Sequence, residues 1–366
     1  MSFTKDANSF CAGDVVNGRY RVTGTLGRGG YGAVYAAEHT GTGQPVALKM
    51  MSVDPSTTND DVVARFYREA RITAGLTDVH TVRVFDVGQV EDGPLFMAME
   101  MLRGPELNKV IKHREGAGGR IAQSEAIAIA LPILQSLTEA HKAGLVHRDL
   151  KPANIIIAIM GDNQAVVKVL DFGIAHTQDS ELTSEGQALG TPSYMSPEQV
   201  RGKHLDCRAD LYSLGIILFR CMAGRPPFMA DDSFALAFMH VQEKLPDLRE
   251  LCGPEVSDAM VAAVHTALAK DPDGRFQTAS AMHEALQEVA NQARIEELSA
   301  AAAASPAAAM ATGAGGQILA RLVAEVMAAA GETPSALRLA FRKSEEDHTR
   351  VKDGESGESG QTEALT

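Results

Sequence analysis

The chain has 366 residues, of which 45% are hydrophobic and 22% charged, so it can bury a large core in two domains or in one bilobal domain. Its net charge of −13 argues against sequence-independent nucleic-acid binding, and any phosphate site would need a local basic cleft. The four cysteines are scattered without a C-x-x-C pair, which favours reduced thiols over a zinc site or a disulfide framework.

The sequence contains no recognisable targeting or membrane segment. The N-terminus lacks the basic start and apolar core of a secretion signal. The two most apolar stretches, residues 211–222 and 317–330, are interrupted by Arg220 and by Arg321 and Glu325, and both fall short of the roughly 18 uninterrupted apolar residues of a membrane span. We therefore expect a cytoplasmic protein without a membrane span.

Strand patterns dominate the chain up to about residue 102. Alternating or continuous apolar runs predict strands at residues 20–26, 33–39, 45–51, 82–89 and 94–102. One helix is predicted at residues 60–76, where Val62, Val63, Phe66, Ala70 and Ile72 are spaced for one buried stripe.

Helices dominate after that point. They are predicted at residues 124–143, 206–223, 233–243, 257–270 and 278–292, and two apolar segments at 154–160 and 165–173 are predicted to pair as strands. The pattern predicts an α+β, bilobal fold with a small β-rich lobe that carries one helix and a larger α-rich lobe.

The composition divides the chain into five segments. A polar leader at 1–18 precedes a folded unit at 19–290, whose lobes meet near residue 102. An Ala/Gly-rich linker follows at 291–316, then an amphipathic helix at 317–341 and a polar tail at 342–366 that we expect to be disordered. The apolar face of that helix either docks on the folded unit or a partner, or belongs to a marginally folded segment.

A glycine-rich turn is predicted between the first two strands of the small lobe. Gly27, Gly29 and Gly32 form G-x-G-x-x-G, whose backbone can approach a phosphate closely. The following residues favour a strand, whereas a dinucleotide-binding turn needs a helix there. The remaining interpretation is a glycine-rich hairpin that folds over a ligand.

Lys49 ends an otherwise apolar strand pattern. In an arbitrary strand such a lysine reaches solvent along its stem, but beside a phosphate site it would need an anionic partner. Glu69 on the predicted helix is the best candidate, although Glu69 could instead form an ion pair with Arg68 or Arg71.

Residues 146–157, VHRDLKPANIII, place five polar or charged side chains before an apolar strand. Phosphoryl transfer needs an aligned hydroxyl, metal ions and positive charge near the phosphates. Asp149 can accept the hydroxyl proton, Lys151 can stabilise the moving group, and the amide oxygen of Asn154 suits a hard cation. Asp171, at the end of the next strand, supplies a second oxygen donor.

The segments GRGGYGAV, VALK, HRDLKPAN, DFG and SPE occur in this order with family-like spacing. In this the chain resembles eukaryotic-type (Hanks-type) serine/threonine protein kinases, most of all their soluble bacterial branch, over about residues 20–289. The resemblance implies the bilobal protein-kinase fold, ATP and Mg²⁺, and transfer of the γ-phosphate to Ser/Thr hydroxyls of proteins. The alternative is an inactive kinase-like scaffold that binds nucleotide or partners, but no chemical residue is missing.

The resemblance also assigns roles to individual residues. Those implied to bind the nucleotide are Leu26, Gly27, Arg28, Gly29, Gly30, Tyr31, Gly32, Ala33, Val34, Ala47, Lys49, Glu69, Met99, Glu100 and Leu102. Lys49 is implied to pair with Glu69, and the backbone of residues 100–102 to bind adenine. The catalytic residues implied are Asp149, Lys151 and Thr191, and the metal ligands are Asn154 and Asp171. Asp210 is implied to support the catalytic loop, and Arg275 to pair with Glu198.

The segment between Asp171 and Glu198 contains several hydroxyls in an acidic stretch, which are Thr177, Ser180, Thr183 and Ser184. They either only bind water or undergo autophosphorylation, after which a phosphate could pair with Arg148. Family resemblance favours autophosphorylation, with Thr183 as the first choice. Expected partners are protein substrates and the chain itself, with dimerisation or partner docking through the C-terminal helix as a further expectation and no nucleic acid.

Overall fold

The protein is represented by a computed structural model that describes residues 9–29, 32–51, 60–91, 93–160, 164–172, 192–304 and 314–329. Its strands are β1 (Val15–Val16), β2 (Tyr20–Gly29), β3 (Gly32–His39), β4 (Pro45–Met51), β5 (Val84–Gln89), β6 (Leu95–Glu100), β7 (Ile155–Met160) and β8 (Gln164–Val169). Its α-helices are α1 (Asp60–Ala74), α2 (Leu107–Gly116), α3 (Gln123–Lys142), α4 (Pro197–Val200), α5 (Arg208–Ala223), α6 (Ser233–Gln242), α7 (Leu248–Cys252), α8 (Asp258–Ala267), α9 (Ala279–Ala304) and α10 (Ala314–Ala329).

The smaller lobe is an antiparallel sheet with the strand order β1-β2-β3-β4-β6-β5. Residues of β3 alternate between half-buried and buried positions, as expected of a strand with one face on a core. α1 lies against β5, and its residues Phe66 and Ala70 are buried in one apolar cluster with Met97 and Met99 of β6. The predicted β-rich lobe with one helix is therefore confirmed.

The larger lobe is built around α5, in which residues 209–219 are all buried. α3 packs against both α5 and α9, so the central helices share one core. The antiparallel hairpin β7–β8 lies on α3. This places the open end of the hairpin, beside which the predicted metal ligands Asn154 and Asp171 occur, next to the small lobe. The β-bridge between Thr81 and Val169 is one contact that joins them.

The C-terminal part of the described chain consists of two helices. α9 continues to Ala304, so it includes part of the alanine-rich segment that composition assigned to a linker. α10 packs against β8, α3, α2 and β7. None of the helices in the described part of the chain combines the length and the apolarity needed to cross a bilayer.

Candidate functional site

The loop between α3 and β7 is held in place by a buried carboxylate of α5. Asp210, only 1% exposed, accepts hydrogen bonds from the backbone N–H groups of His147 at 2.8 Å and Arg148 at 2.9 Å. His141 Nε2 of α3 lies 2.8 Å from the same carboxylate. Arg148 has a φ of 65°, a left-handed conformation that persists only where its surroundings fix it. The support expected from Asp210 is confirmed.

His147 connects this loop to the segment that follows β8. Its side chain is buried, with Nε2 2.7 Å from the carbonyl oxygen of Leu170. Its ring lies 4.9 Å from the ring of Phe172, which is itself fully buried. The Leu170 N–H also donates to the carbonyl oxygen of Asn154 at 2.9 Å. Hydrogen bonds and a ring contact therefore join the loop to residues 170–172.

Three of the predicted catalytic and metal-binding residues meet in this loop. Lys151 Nζ lies 2.6 Å from Asp149 Oδ2, and the Asn154 amide donates to Asp149 O at 2.8 Å and to Asp149 Oδ2 at 3.2 Å. Because the amide nitrogen of Asn154 faces Asp149, its amide oxygen is left as the group that can face a cation. The side chain of Asp149 is 33% exposed and that of Lys151 31%, so a substrate can reach both.

Lys49 brings a positive charge from the small lobe to the end of β8. Its Nζ lies 2.7 Å from Asp171 Oδ1, and the two side chains are 21% and 31% exposed. Asp171 has a φ of 54°, so it is a second non-glycine residue of the site in the left-handed region. The side chain that follows it, Phe172, is anchored in the core, which fixes where this carboxylate lies.

The expected pairing of Lys49 with Glu69 stays a prediction, because the ion pair that the structure shows for Lys49 is with Asp171. Glu69 is 5% exposed, and its Oε1 lies 3.6 Å from Nη1 of Arg148, whereas Lys49 Nζ lies 2.7 Å from Asp171 Oδ1. A buried carboxylate needs a cation near it, and the left-handed turn at Arg148 aims a guanidinium at α1. Spacing along the chain does not show which of the two acids, Glu69 and Asp171, contacts which of the two bases, Lys49 and Arg148.

An apolar surface lies between the small lobe and β8. Ala47 of β4 and Met99 of β6 are paired in register and are 8% and 7% exposed. Val34 and Leu102 are half-buried members of the same apolar cluster, and Leu170, directly before Asp171, is another. Sequence reasoning missed Leu170, whose position between a strand and an acidic residue was the available signal. These side chains suit the flat faces of an adenine ring.

The glycine-rich turn joins β2 to β3, so the expected hairpin is confirmed for the residues that are described. The register pairs are Gly27 with Val34, Arg28 with Ala33, and Gly29 with Gly32. Leu26 is 55% exposed. Gly30 and Tyr31 lie outside the described residues.

Gly32 is the position of this turn that requires glycine. Its φ is 133°, and a Cβ there would lie 2.0 Å from the carbonyl oxygen of Met50. No ordinary side chain can tolerate such a contact with backbone, so β3 can approach β4 this closely only with glycine at the position.

Glu100, where the two lobes join, is fixed by a buried lysine that sequence reasoning missed. Lys168 of β8 is 4% exposed, and its Nζ lies 2.5 Å from Glu100 Oε1. The same oxygen accepts the Arg83 N–H at 2.8 Å, and the Glu100 N–H donates to the Arg83 carbonyl at 2.9 Å. The backbone N–H of Glu100 is therefore already engaged within the protein. A charged residue inside an apolar strand pattern was the signal for Lys168.

Two sets of sequence predictions lie beyond the described residues. Thr191, the third predicted catalytic residue, is one of them. The other set is the hydroxyls proposed for autophosphorylation, which are Thr177, Ser180, Thr183 and Ser184.

The arrangement of charges fits a triphosphate with a hard cation. Lys49 and Lys151 supply positive charge, and Asp149, Asn154 and Asp171 supply oxygen atoms. In the described part of the chain no cluster of three or more His, Cys, Asp or Glu side chains is placed to hold a metal. Two protein oxygens completed by phosphates are the usual set for Mg²⁺, so the residues present fit that ion.

Comparison with known families matches residues 20–287 to the protein kinase domain. The chain is 38% identical over 297 residues to the serine/threonine-protein kinase pkn3 of Myxococcus xanthus, covering 80% of this chain and 53% of that protein. It is 38% identical over 277 residues to the serine/threonine-protein kinase PknH of Mycobacterium tuberculosis, covering 74% of this chain and 42% of that protein.

The chain thus spans about half or less of the length of these curated relatives. Among solved structures, the kinase domain of M. tuberculosis PknI superposes with a TM-score of 0.61 at 28% identity, covering 77% of this chain and 99% of that one. The bilobal architecture expected from the motifs is confirmed by this similarity.

Proposed function

This chain belongs to the protein kinase family, and we propose that it transfers the γ-phosphoryl group of ATP to serine and threonine hydroxyls of proteins. The observation that carries the proposal is the contact between Lys49 of the small lobe and Asp171 of the large lobe, at 2.7 Å. This pair lies beside the loop that holds Asp149, because that loop is hydrogen-bonded to the residue before Asp171. A nucleotide between the lobes would therefore meet both.

The roles follow from the charges of these groups. Asp149 accepts the proton of the attacking hydroxyl and orients its oxygen towards the phosphorus. Lys151, 2.6 Å from Asp149, neutralises charge on the transferred group, and Lys49 does so on the phosphates held by the small lobe. The apolar cluster that contains Val34, Ala47 and Met99 excludes water from the adenine.

Asn154 and Asp171 would hold Mg²⁺. The ion would neutralise phosphate charge and align the γ-phosphate with the attacking oxygen. The position of Asp171 is maintained by Phe172, and that of Asn154 by its hydrogen bonds to Asp149.

Two arguments support serine and threonine as acceptors. Lys151 in DLKPAN resembles the Ser/Thr-specific form of the loop, and the relatives at 38% identity are named serine/threonine-protein kinases. The inactive-scaffold alternative is disfavoured because no residue that the chemistry requires is missing. ATP as co-substrate is consistent with a cytoplasmic location.

We further propose autophosphorylation within residues 177–184, with Thr183 as the first choice. Arg148 now faces the buried Glu69 at 3.6 Å. A phosphate on this segment carries up to two negative charges and would compete for Arg148. Release of Glu69 would then let it turn to Lys49.

The test incubates the full chain with γ-labelled ATP, Mg²⁺ and a generic protein acceptor. Asp149→Asn is expected to reduce transfer about 10²–10⁴-fold, since it removes the proton acceptor. Asp258→Asn is the matched control, because that carboxylate is 99% exposed on the surface. Transfer that survives Asp149→Asn would disprove the assigned base. Phosphopeptide mapping of the same samples is expected to find label at 177–184 in wild type and none in Asp149→Asn.

A further inference from the structure

α10 lies outside the segment that matches the protein kinase domain, yet it is built into the large lobe. Four of its apolar side chains are at most 5% exposed, which are Leu319, Leu322, Val323 and Met327. Their spacing places them on one helical face, and they join the main core of that lobe. The opposite face, with Gln317, Arg321 and Ala324, is exposed.

An ion pair fixes the orientation of α10 on this surface. Glu325 Oε2 lies 2.7 Å from Arg114 Nη2 of α2. The same Arg114 nitrogen lies 3.0 Å from Glu125 Oε1, and Glu125 Oε2 accepts the Ala122 N–H at the start of α3. The polar contact therefore ties α10 to two helices at once and specifies how the apolar face is seated.

The surface beneath α10 includes the hairpin that carries the metal ligands. α10 contacts both strands, β8 more extensively than β7. Ile159 and Ala165 are register partners in this hairpin, and both pack on the core to which α10 contributes. Asn154 directly precedes β7, and Asp171 follows β8 by two residues. A two-stranded hairpin is marginal alone, so its position depends on what packs against it.

We propose that α10 is a brace for the β7–β8 hairpin, and that its docking in cis sets how well Asn154 and Asp171 bind the nucleotide-bound cation. Leu322, Val323 and Glu325 are positioning residues in this proposal. It rests on the proposed function only in assigning Asn154 and Asp171 to that cation.

The test measures Mg²⁺-dependent binding of a fluorescent, non-hydrolysable ATP analogue to the full chain, and so does not require turnover. The double variant Leu322→Asp/Val323→Asp places two charges in the buried face. It is expected to raise the half-saturating Mg²⁺ concentration about tenfold. This is the smallest loss of metal affinity that is typical when the groups that position metal ligands are removed. Metal-free nucleotide affinity should change less than about twofold, as for a surface substitution.

The matched control is Ala324→Asp/Ala328→Asp, which places the same charges on the exposed face of α10. It is expected to behave as wild type. Should the double variant not fold, Glu325→Ala removes the contact to Arg114 together with the i,i+4 contact to Arg321 within α10. It is expected to raise the Mg²⁺ midpoint about twofold, a step of about 0.4 kcal/mol as for a partly exposed ion pair. Destabilisation without bracing would lower the binding-competent fraction, and so would weaken metal-free nucleotide binding as much as it raises the Mg²⁺ midpoint.

An unchanged midpoint in the folded double variant, or in Glu325→Ala if that is the variant that folds, overturns the brace. A wild-type midpoint that shifts with protein concentration also overturns it, because α10 would then act on a second copy. If the midpoints behave as expected but the wild type transfers no phosphate, the proposed function is contradicted and the proposal that α10 braces the hairpin still stands.

Discussion

Replacement of Arg275 tests how much a buried ion pair stabilises the large lobe. The expected pair with Glu198 is confirmed: both guanidinium nitrogens lie 2.8 Å from carboxylate oxygens, and the side chains are 0% and 9% exposed. Arg275 Nε also donates to the Ala269 carbonyl at 2.8 Å, and the guanidinium lies 4.8 Å from the ring centre of Tyr212. The positive charge of Arg275 is therefore balanced by contacts inside the protein.

Arg275→Met leaves a buried carboxylate without its cation and frees backbone carbonyls. Removing one member of such a pair costs about 3–5 kcal/mol, so we expect a loss of about 4 kcal/mol in the free energy of unfolding. At roughly 2–4 °C per kcal/mol for a domain of this size, the midpoint of thermal unfolding should fall by about 10 °C.

The assay is thermal and urea unfolding of the full chain, followed by circular dichroism. Asp273→Asn is the control, because it breaks the contact of Arg208 with a side chain that is 84% exposed and should cost less than about 1 kcal/mol. The double variant Arg275→Leu/Glu198→Leu should recover much of the loss, because no unpaired charge remains buried. A single Arg275 variant as stable as Asp273→Asn would refute the reasoning.

Two other predictions concern pH and the glycine-rich turn. Burial, assisted by the charge of Lys270, lowers the pKa of His240 from 6.5 to about 4. Because the unfolded chain then binds this proton more readily, the free energy of unfolding should fall by up to about 3 kcal/mol as the pH drops from 7 towards 4. Urea titrations over this range should find a weaker pH dependence in His240→Leu. An equal pH dependence in the variant and the wild type would contradict this. Gly32→Ala should cost about 1–3 kcal/mol and weaken nucleotide binding. Gly24→Ala, in β2 outside the nucleotide-binding set and with nothing within 4 Å of its Cβ, should do neither, and equal effects would exclude the steric cause.

Periodicity was sufficient to predict the elements with long, regular patterns. β4 has the predicted bounds, and α1 and α3 differ from prediction by one or two residues at their ends. α2 was missed because its stripe has only three buried residues and no side chain caps its start. α9 extends beyond its prediction, at least to Ala304, because alanine has the highest helix propensity.

The chemical groups of the site could be read from the motifs, but several of their pairings could not. Lys49 contacts Asp171 and Glu69 contacts Arg148, because the distances across the cleft depend on the left-handed turns at Arg148 and Asp171. Lys168 was missed for a related reason, since its partner Glu100 is far away in the sequence. The amphipathic pattern of 317–341 left docking undecided, and the structure shows α10 packed on the large lobe.

The most direct test of the central claim is a structure of the full chain with Mg²⁺ and a non-hydrolysable ATP analogue. We expect the triphosphate between the lobes, with Lys49 on its oxygens instead of at 2.7 Å from Asp171, and the γ-phosphate beside Asp149. Bound nucleotide whose phosphates lie away from Asp149, with the contact between Lys49 and Asp171 intact, would contradict the account.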